Sequence, residues 1–227
     1  MTQLIVAGCS LSDRGGVDFC YGDKLAEKLN YEYVHEGSGC GSNFRIWRIV
    51  TNMIMNNEIG PDDVLIIQYT EQTRKEFWTS HLSTETVYDS YSAGNGMTGK
   101  VQLVHDYKGF GQLVKYKLEA ASWQDNKKVK EFMKLYEEGF VDKEYDNEVW
   151  KVNHFNFITM LQSRKIKTIF VEAFEYTQLH DLYIPDAVPR FYIKRDKLEA
   201  SYLQPDGTHL SNAGHEYIAE QLRELIQ

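Results

Sequence analysis

Residues 3–8 (QLIVAG), 64–69 (VLIIQY) and 167–174 (KTIFVEAF) are short runs dominated by apolar residues. A strand buried on one face alternates apolar and polar residues. A strand buried on both faces reads as a continuous aliphatic run. These three segments therefore predict central strands of a covered sheet. Residues 31–36 (YEYVHE) are a further, more polar strand candidate. Between the runs the period changes. Leu25, Ala26 and Leu29 share one face of a helix over 21–29. From Asn43 onward, Ile46, Ile49, Val50, Met53 and Ile54 recur at helical spacing, with Ser42 available as the N-cap. Pro61-Asp62-Asp63 breaks the chain before the third strand. Helical patterns also cover 119–139 and 143–163, the second carrying Trp150, His154, Phe157 and Leu161. The last helix starts after Ser211 and carries Ile218, Leu222 and Leu225.

Strands alternating with helices predict an α/β fold, a three-layer α/β/α sandwich around a mainly parallel, flavodoxin-like sheet. Ligands of such sheets bind beyond the C-terminal strand ends, near the switch in strand order. Residues 79–118, rich in Ser, Thr, Tyr and Gly, do not fit the alternation. We read 79–140 as an insertion that caps or borders the site, within one domain spanning 1–227.

The composition narrows the function. With 227 residues, 42% of them hydrophobic, and four prolines, the chain suits a well-cored globular protein. A net charge of −8 disfavours nucleic acid as a partner. The basic residues near Asn126 to Lys128 and Lys194 to Lys197 are interleaved with acids and read as solvated faces. The opening MTQLIVAGCS has neither the basic leader nor the apolar length of a secretory signal, and no run has the length of a membrane span. The expectation is a cytoplasmic protein without a membrane partner. Cys9, Cys20 and Cys40 fit neither a disulfide framework nor a zinc spacing, and no metal or organic cofactor is implied.

The chemistry gathers at predicted strand ends. The first strand runs into Gly8-Cys9-Ser10-Leu11-Ser12, where a sharp turn presents a hydroxyl. Serine is a weak nucleophile without a base. Asp206-Gly207-Thr208-His209, near the C-terminus, supplies an imidazole and a carboxylate to orient it. Each piece also has a plain structural reading. Ser10 alone reads as a turn serine, Asp206 as the turn-former of a PDG, and a lone DxxH as a locally satisfied histidine. The combination favours catalysis. The second strand leads into Gly37-Ser38-Gly39-Cys40-Gly41-Ser42-Asn43, whose glycines and helix N-terminus suit an anion. The third leads into Tyr69-Thr70-Glu71-Gln72-Thr73-Arg74. Tyr69 is a candidate for stacking on substrate and Arg74 for binding a substrate anion, against the alternatives of core packing and a salt bridge. Cys9 is an alternative nucleophile. His154 and His215 read as structural.

These blocks resemble those of the SGNH hydrolases, or GDSL esterases. Gly8-Cys9-Ser10-Leu11 is similar to the family's Gly-Asp-Ser-Leu, with Cys9 in place of the acid. Asp206 to His215 (DGTHLSNAGH) is similar to its Asp-x-x-His block and the Leu-Ser/Thr-x-x-Gly-His run that follows. The resemblance spans residue 3 to the end, apart from the insertion. It implies Ser10 as nucleophile, His209 as base and Asp206 as its orienting acid. It puts the oxyanion-hole glycine at Gly39 or Gly41. The family's Gly-x-Asn-Asp block is missing, and Gln72 stands where its Asn would be, with Asn43 as the alternative donor. The activity implied is hydrolysis of a small acyl ester, such as an acetyl ester, of a carbohydrate or other alcohol. Two rivals stay open: an acyltransferase using the same residues, and a non-catalytic carbohydrate-binding or assembly protein on the same fold.

Overall fold

Five strands pair side by side in the order β2-β1-β3-β7-β8, all parallel. They are β1 (Gln3–Gly8), β2 (Glu32–Gly37), β3 (Val64–Tyr69), β7 (Lys167–Glu172) and β8 (Arg190–Tyr192). This is the flavodoxin-like order the alternation predicts. The structure is a computed structural model and describes residues 1–14, 16–37, 42–70, 75–78, 100–104, 110–116, 143–173 and 184–227. Among these, four α-helices flank the sheet: α1 (Tyr21–Leu29), α2 (Asn43–Met55), α3 (Lys143–Ser163) and α4 (Asn212–Ile226). The helix expected over 119–139 falls outside the described residues.

The central strands are buried on both faces, yet their side chains still alternate. Ile5, Ala7, Leu65, Ile67, Tyr69 and Phe170 pack with α2 and α3. Leu4, Val6, Val64, Ile66, Ile169 and Val171 pack with α1 and α4. Two cores on opposite faces of one sheet make the three layers. Each fully buried Leu or Ile contributes about 1.5–3 kcal/mol relative to exposure. The apolar runs read from the sequence are therefore the residues that hold the sheet between its helices.

β8 escaped the pattern. Arg-Phe-Tyr is too short and too polar to announce a strand, and its parallel pairing to β7, Phe170 opposite Arg190, places it at the sheet edge. A separate antiparallel sheet, in the order β4-β6-β5, joins β4 (Lys75–Trp78), β5 (Lys100–Val104) and β6 (Phe110–Tyr116). Most of it lies within the segment that breaks the α/β alternation. No helix among the described residues is long and apolar enough to cross a membrane.

Candidate active site

At the end of β1 the chain folds back in a single 3-10 turn, Ser10–Ser12. Both the backbone N–H and the hydroxyl of Ser12 donate to the Cys9 carbonyl, at 3.0 and 2.9 Å. The turn closes tightly over the strand end. A Cβ at Gly8 would overlap the Ser12 hydroxyl and come within 2.9 Å of the Gln68 Cβ, so only glycine leaves room for it. Ser10, half-buried, is the residue the turn presents.

The partner segment is also shaped by local backbone chemistry. Leu203 and Leu210 form an antiparallel bridge, and the Gln204 N–H donates to the His209 carbonyl at 2.8 Å. Between them Gly207 takes φ +68°, where a side chain would be strained, and its N–H donates to the Gln204 carbonyl. This turn aims the Asp206 carboxylate at the His209 ring. Its Oδ1 accepts the N–H groups of Thr208 and His209 at 2.8 and 3.0 Å, and its Oδ2 meets His209 Nδ1 at 2.5 Å. The backbone N–H of His209, the His209 ring and the Thr208 N–H together hold Asp206 well below the usual carboxylate range. An ionised Asp206 fixes the proton on Nδ1. Nε2 is then an acceptor, and it lies 3.2 Å from Ser10 Oγ.

So Ser10, His209 and Asp206, up to 199 residues apart in the chain, form one hydrogen-bonded line. The His209 and Asp206 side chains remain 39% and 46% exposed, open to water. Ser211 caps α4 by accepting the Gly214 N–H, as its sequence position predicts, and this anchors the helix directly after the turn.

The other expected residues divide. Gly39, Gly41, Gln72 and Arg74 lie outside the described residues. Asn43 is 1% exposed, and its side chain is occupied in joining α2 to the end of β3: Oδ1 accepts the Thr70 N–H and Nδ2 donates to the Thr70 carbonyl, both at 3.0 Å. Tyr69 does not face a substrate. Strand alternation turns it into the α2/α3 layer, where it is fully buried, stacked on Phe170, with its hydroxyl 2.8 Å from His154 Nδ1. That contact gives His154 the structural place its helix position implies. Cys9 is fully buried and its Sγ accepts from Gln68 Nε2 at 3.0 Å, which turns the thiol away from the crevice and removes it as a rival nucleophile. Cys40 lies outside the described residues.

Two supporting contacts had no signal in the sequence. The Asn212 side chain brackets Asp18, accepting its N–H at 3.1 Å and donating to its carboxylate at 2.7 Å. This pins the loop after the Ser10 turn to the start of α4. His215 is buried, and its Nδ1 accepts the Tyr21 N–H at 3.1 Å, holding the N-terminus of α1. Burial lowers its pKa to about 4, so it stays neutral and keeps its acceptor.

A depression of about 340 Å³ opens at the opposite end of the sheet, lined by Val64, Ile158, Leu161, Ile169, Val188 and Leu225 among others. Its walls are mainly aliphatic, with Gln162, Lys167 and Thr168 as the polar members. Among the described residues, the hydrogen-bonded serine, histidine and aspartate lie at the strand ends by Ser10.

No protein-family model matches the chain, and no curated protein matches it. Solved structures do. One is described as a lipolytic protein of the G-D-S-L family from Desulfitobacterium hafniense, at 11% identity, with 99% of each chain covered and a TM-score of 0.53. Another is the psychrotrophic esterase EstA of a Pseudoalteromonas species, in a form inhibited by monoethylphosphonate. It is 9% identical, with 100% of this chain and 97% of that one covered, at a TM-score of 0.50. At such identities the likeness shows the fold alone: the α/β architecture is shared with these two proteins.

Proposed function

We propose that the protein is a serine ester hydrolase that works through an acyl-enzyme. The observation that carries this reading is the line Ser10 Oγ, His209 Nε2, His209 Nδ1, Asp206 Oδ2, with gaps of 3.2 and 2.5 Å. These contacts match what nucleophile, base and orienting acid require of one another. His209 Nε2 takes the Ser10 proton as Oγ attacks the ester carbonyl. The tetrahedral intermediate expels the alcohol, which leaves with that proton. Water then enters, gives a proton to Nε2, and attacks the acyl-serine. The acid departs as Ser10 recovers its proton from His209. Asp206 remains ionised throughout and stabilises the charged imidazole. The exposure of His209 supports water as the acceptor.

The proposed oxyanion donors are the amide of Ser10, an amide from Gly39 or Gly41, and the side chain of Gln72 or Asn43. Since Asn43 already gives one N–H to Thr70, Gln72 is the preferred amide side chain. The proposed substrate is a small acyl ester, acetyl first, of a carbohydrate or other alcohol. Arg74 is the proposed contact for an anionic group on it.

The test is intact-mass measurement after treatment with a small phosphonate ester, alongside hydrolysis of p-nitrophenyl acetate. The wild type takes one adduct and turns over the ester. Ser10→Ala takes none, and both Ser10→Ala and His209→Ala lose turnover by at least about 10³-fold. An adduct that persists on Ser10→Ala, or turnover unchanged in it, overturns the reading.

A further inference from the structure

A glutamine sits fully buried in the central strand of the sheet, directly beneath the Ser10 turn. The β1/β3 register sets Ala7 opposite Ile67, which brings Gln68 level with the end of β1. Burying a primary amide without partners costs roughly 2–7 kcal/mol, so its contacts are informative. Gln68 Nε2 donates to Cys9 Sγ at 3.0 Å, and Gln68 Oε1 accepts from the Tyr21 hydroxyl at 3.3 Å. The Ser12 hydroxyl donates to the Cys9 carbonyl, and the Tyr21 N–H is held by His215. Cys9, Ser12, Tyr21, Gln68 and His215 are each at most 2% exposed. A closed polar chain therefore runs from α4 through α1 and β3 to the residue before Ser10. It touches both segments that must meet at the site, the turn carrying Ser10 and the helix that follows His209.

We propose that Gln68 is a positioning residue for the reaction at Ser10: by gripping Cys9 Sγ from below, it fixes the turn so that the Ser10 hydroxyl stays within reach of His209. This rests on the reading of Ser10 as nucleophile. It gives a reason for the departure at position 9, because a buried thiol is a neutral acceptor matched to the buried amide. The 3.2 Å contact between Ser10 and His209 tolerates little drift, and a displacement of about 1 Å at such a contact costs about 10²-fold in rate.

The experiment compares Gln68→Leu, Cys9→Ala, Cys9→Ser and the double variant Cys9→Ala/Gln68→Leu. Turnover is expressed per active site counted by phosphonate labelling, so a misfolded fraction does not enter. Gln68→Leu and Cys9→Ala are expected to lower kcat by about 10- to 100-fold with KM little changed, and to slow labelling in parallel. Cys9→Ser keeps an oxygen acceptor and restores most of the rate. The double variant is no slower than the slower single one, because both remove the same contact. Gln68→Leu and Cys9→Ala turning over within about twofold of wild type per labelled site, or losses that add in the double variant, overturn the proposal. If Gln68→Leu does not fold, the Cys9→Ala and Cys9→Ser pair decides alone. Ser10→Ala separates the two levels. Turnover surviving in Ser10→Ala removes the hydrolase reading itself, whereas loss there with normal Gln68 and Cys9 variants removes only the positioning role.

Discussion

Replacing Gly214 with alanine tests how closely the site depends on backbone clearance. Gly214 lies in the first turn of α4, and there its Cα faces the backbone of Tyr202. A Cβ at this position would sit about 1 Å inside the 3.0 Å that real Cβ atoms keep from a backbone oxygen, and 3.2 Å from Leu210 Cδ2. The obstacle is a carbonyl, not the end of a flexible side chain, so the backbone must give way. Two effects compete. Alanine favours helix over glycine by about 1 kcal/mol. Overpacking a tight contact costs about 1–3 kcal/mol. The clash wins, for a net loss of up to about 2 kcal/mol, or as much as roughly 8 °C in Tm for a chain of this size. The kinetic effect is larger. Tyr202 and Gly214 bracket the turn that carries Asp206 and His209, so separating them by about 1 Å displaces His209 against Ser10. A 3.2 Å contact does not survive that, and a loss of about 10²-fold in kcat/KM follows. Thermal melting and p-nitrophenyl acetate hydrolysis, measured on the same preparation, check both figures. A Gly214→Ala variant that melts higher than wild type and keeps its turnover would refute the clearance argument.

Three further outcomes are expected. Asp206→Asn leaves the fold intact but loses the charge that sets the His209 tautomer; because Asp206 is 46% exposed, kcat falls by about 10- to 100-fold, less than the ~10⁴ of a buried acid, and a steady-state comparison at pH 7 measures it. Asn43→Ala strands the buried N–H and C=O of Thr70 and destabilises by about 2–4 kcal/mol, visible as a lower urea midpoint; an unchanged midpoint would mean that the Asn43–Thr70 pair holds nothing. His215 makes stability depend on pH: its folded pKa, about 4, lies below the ordinary 6.5, so the unfolded chain takes up the proton first and stability falls as pH drops from 6.5 toward 4, by about 3 kcal/mol in all. His215→Asn, which cannot titrate but can still accept the Tyr21 N–H, should flatten urea midpoints over that window, and an equal slope in both proteins would contradict the assignment.

The chain order of the fold was legible because its signals are local. A run such as VLIIQY names a doubly covered strand from its own six residues, and Ser42 and Ser211 announce helix starts one residue ahead. The pairing of Asp206 with His209 was legible for the same reason: three residues and a turn glycine suffice to join them. Contacts between distant segments were not. Nothing in Tyr69 itself says which layer it enters; strand register decided that, and buried it against His154. Asn43 reads as a donor at a helix start, and only the approach of β3 gives it to Thr70. Cys9 and Gln68, 59 residues apart, become partners because β1 and β3 are neighbours in the sheet. Ser10 meets His209 for a reason of the same kind: the 3-10 turn and the capped start of α4 bring two ends of the chain to within 3.2 Å. Periodicity and capping chemistry act over a few residues and are written in the sequence. Distances between side chains on different elements follow from how whole layers settle against one another, which no single stretch of sequence contains.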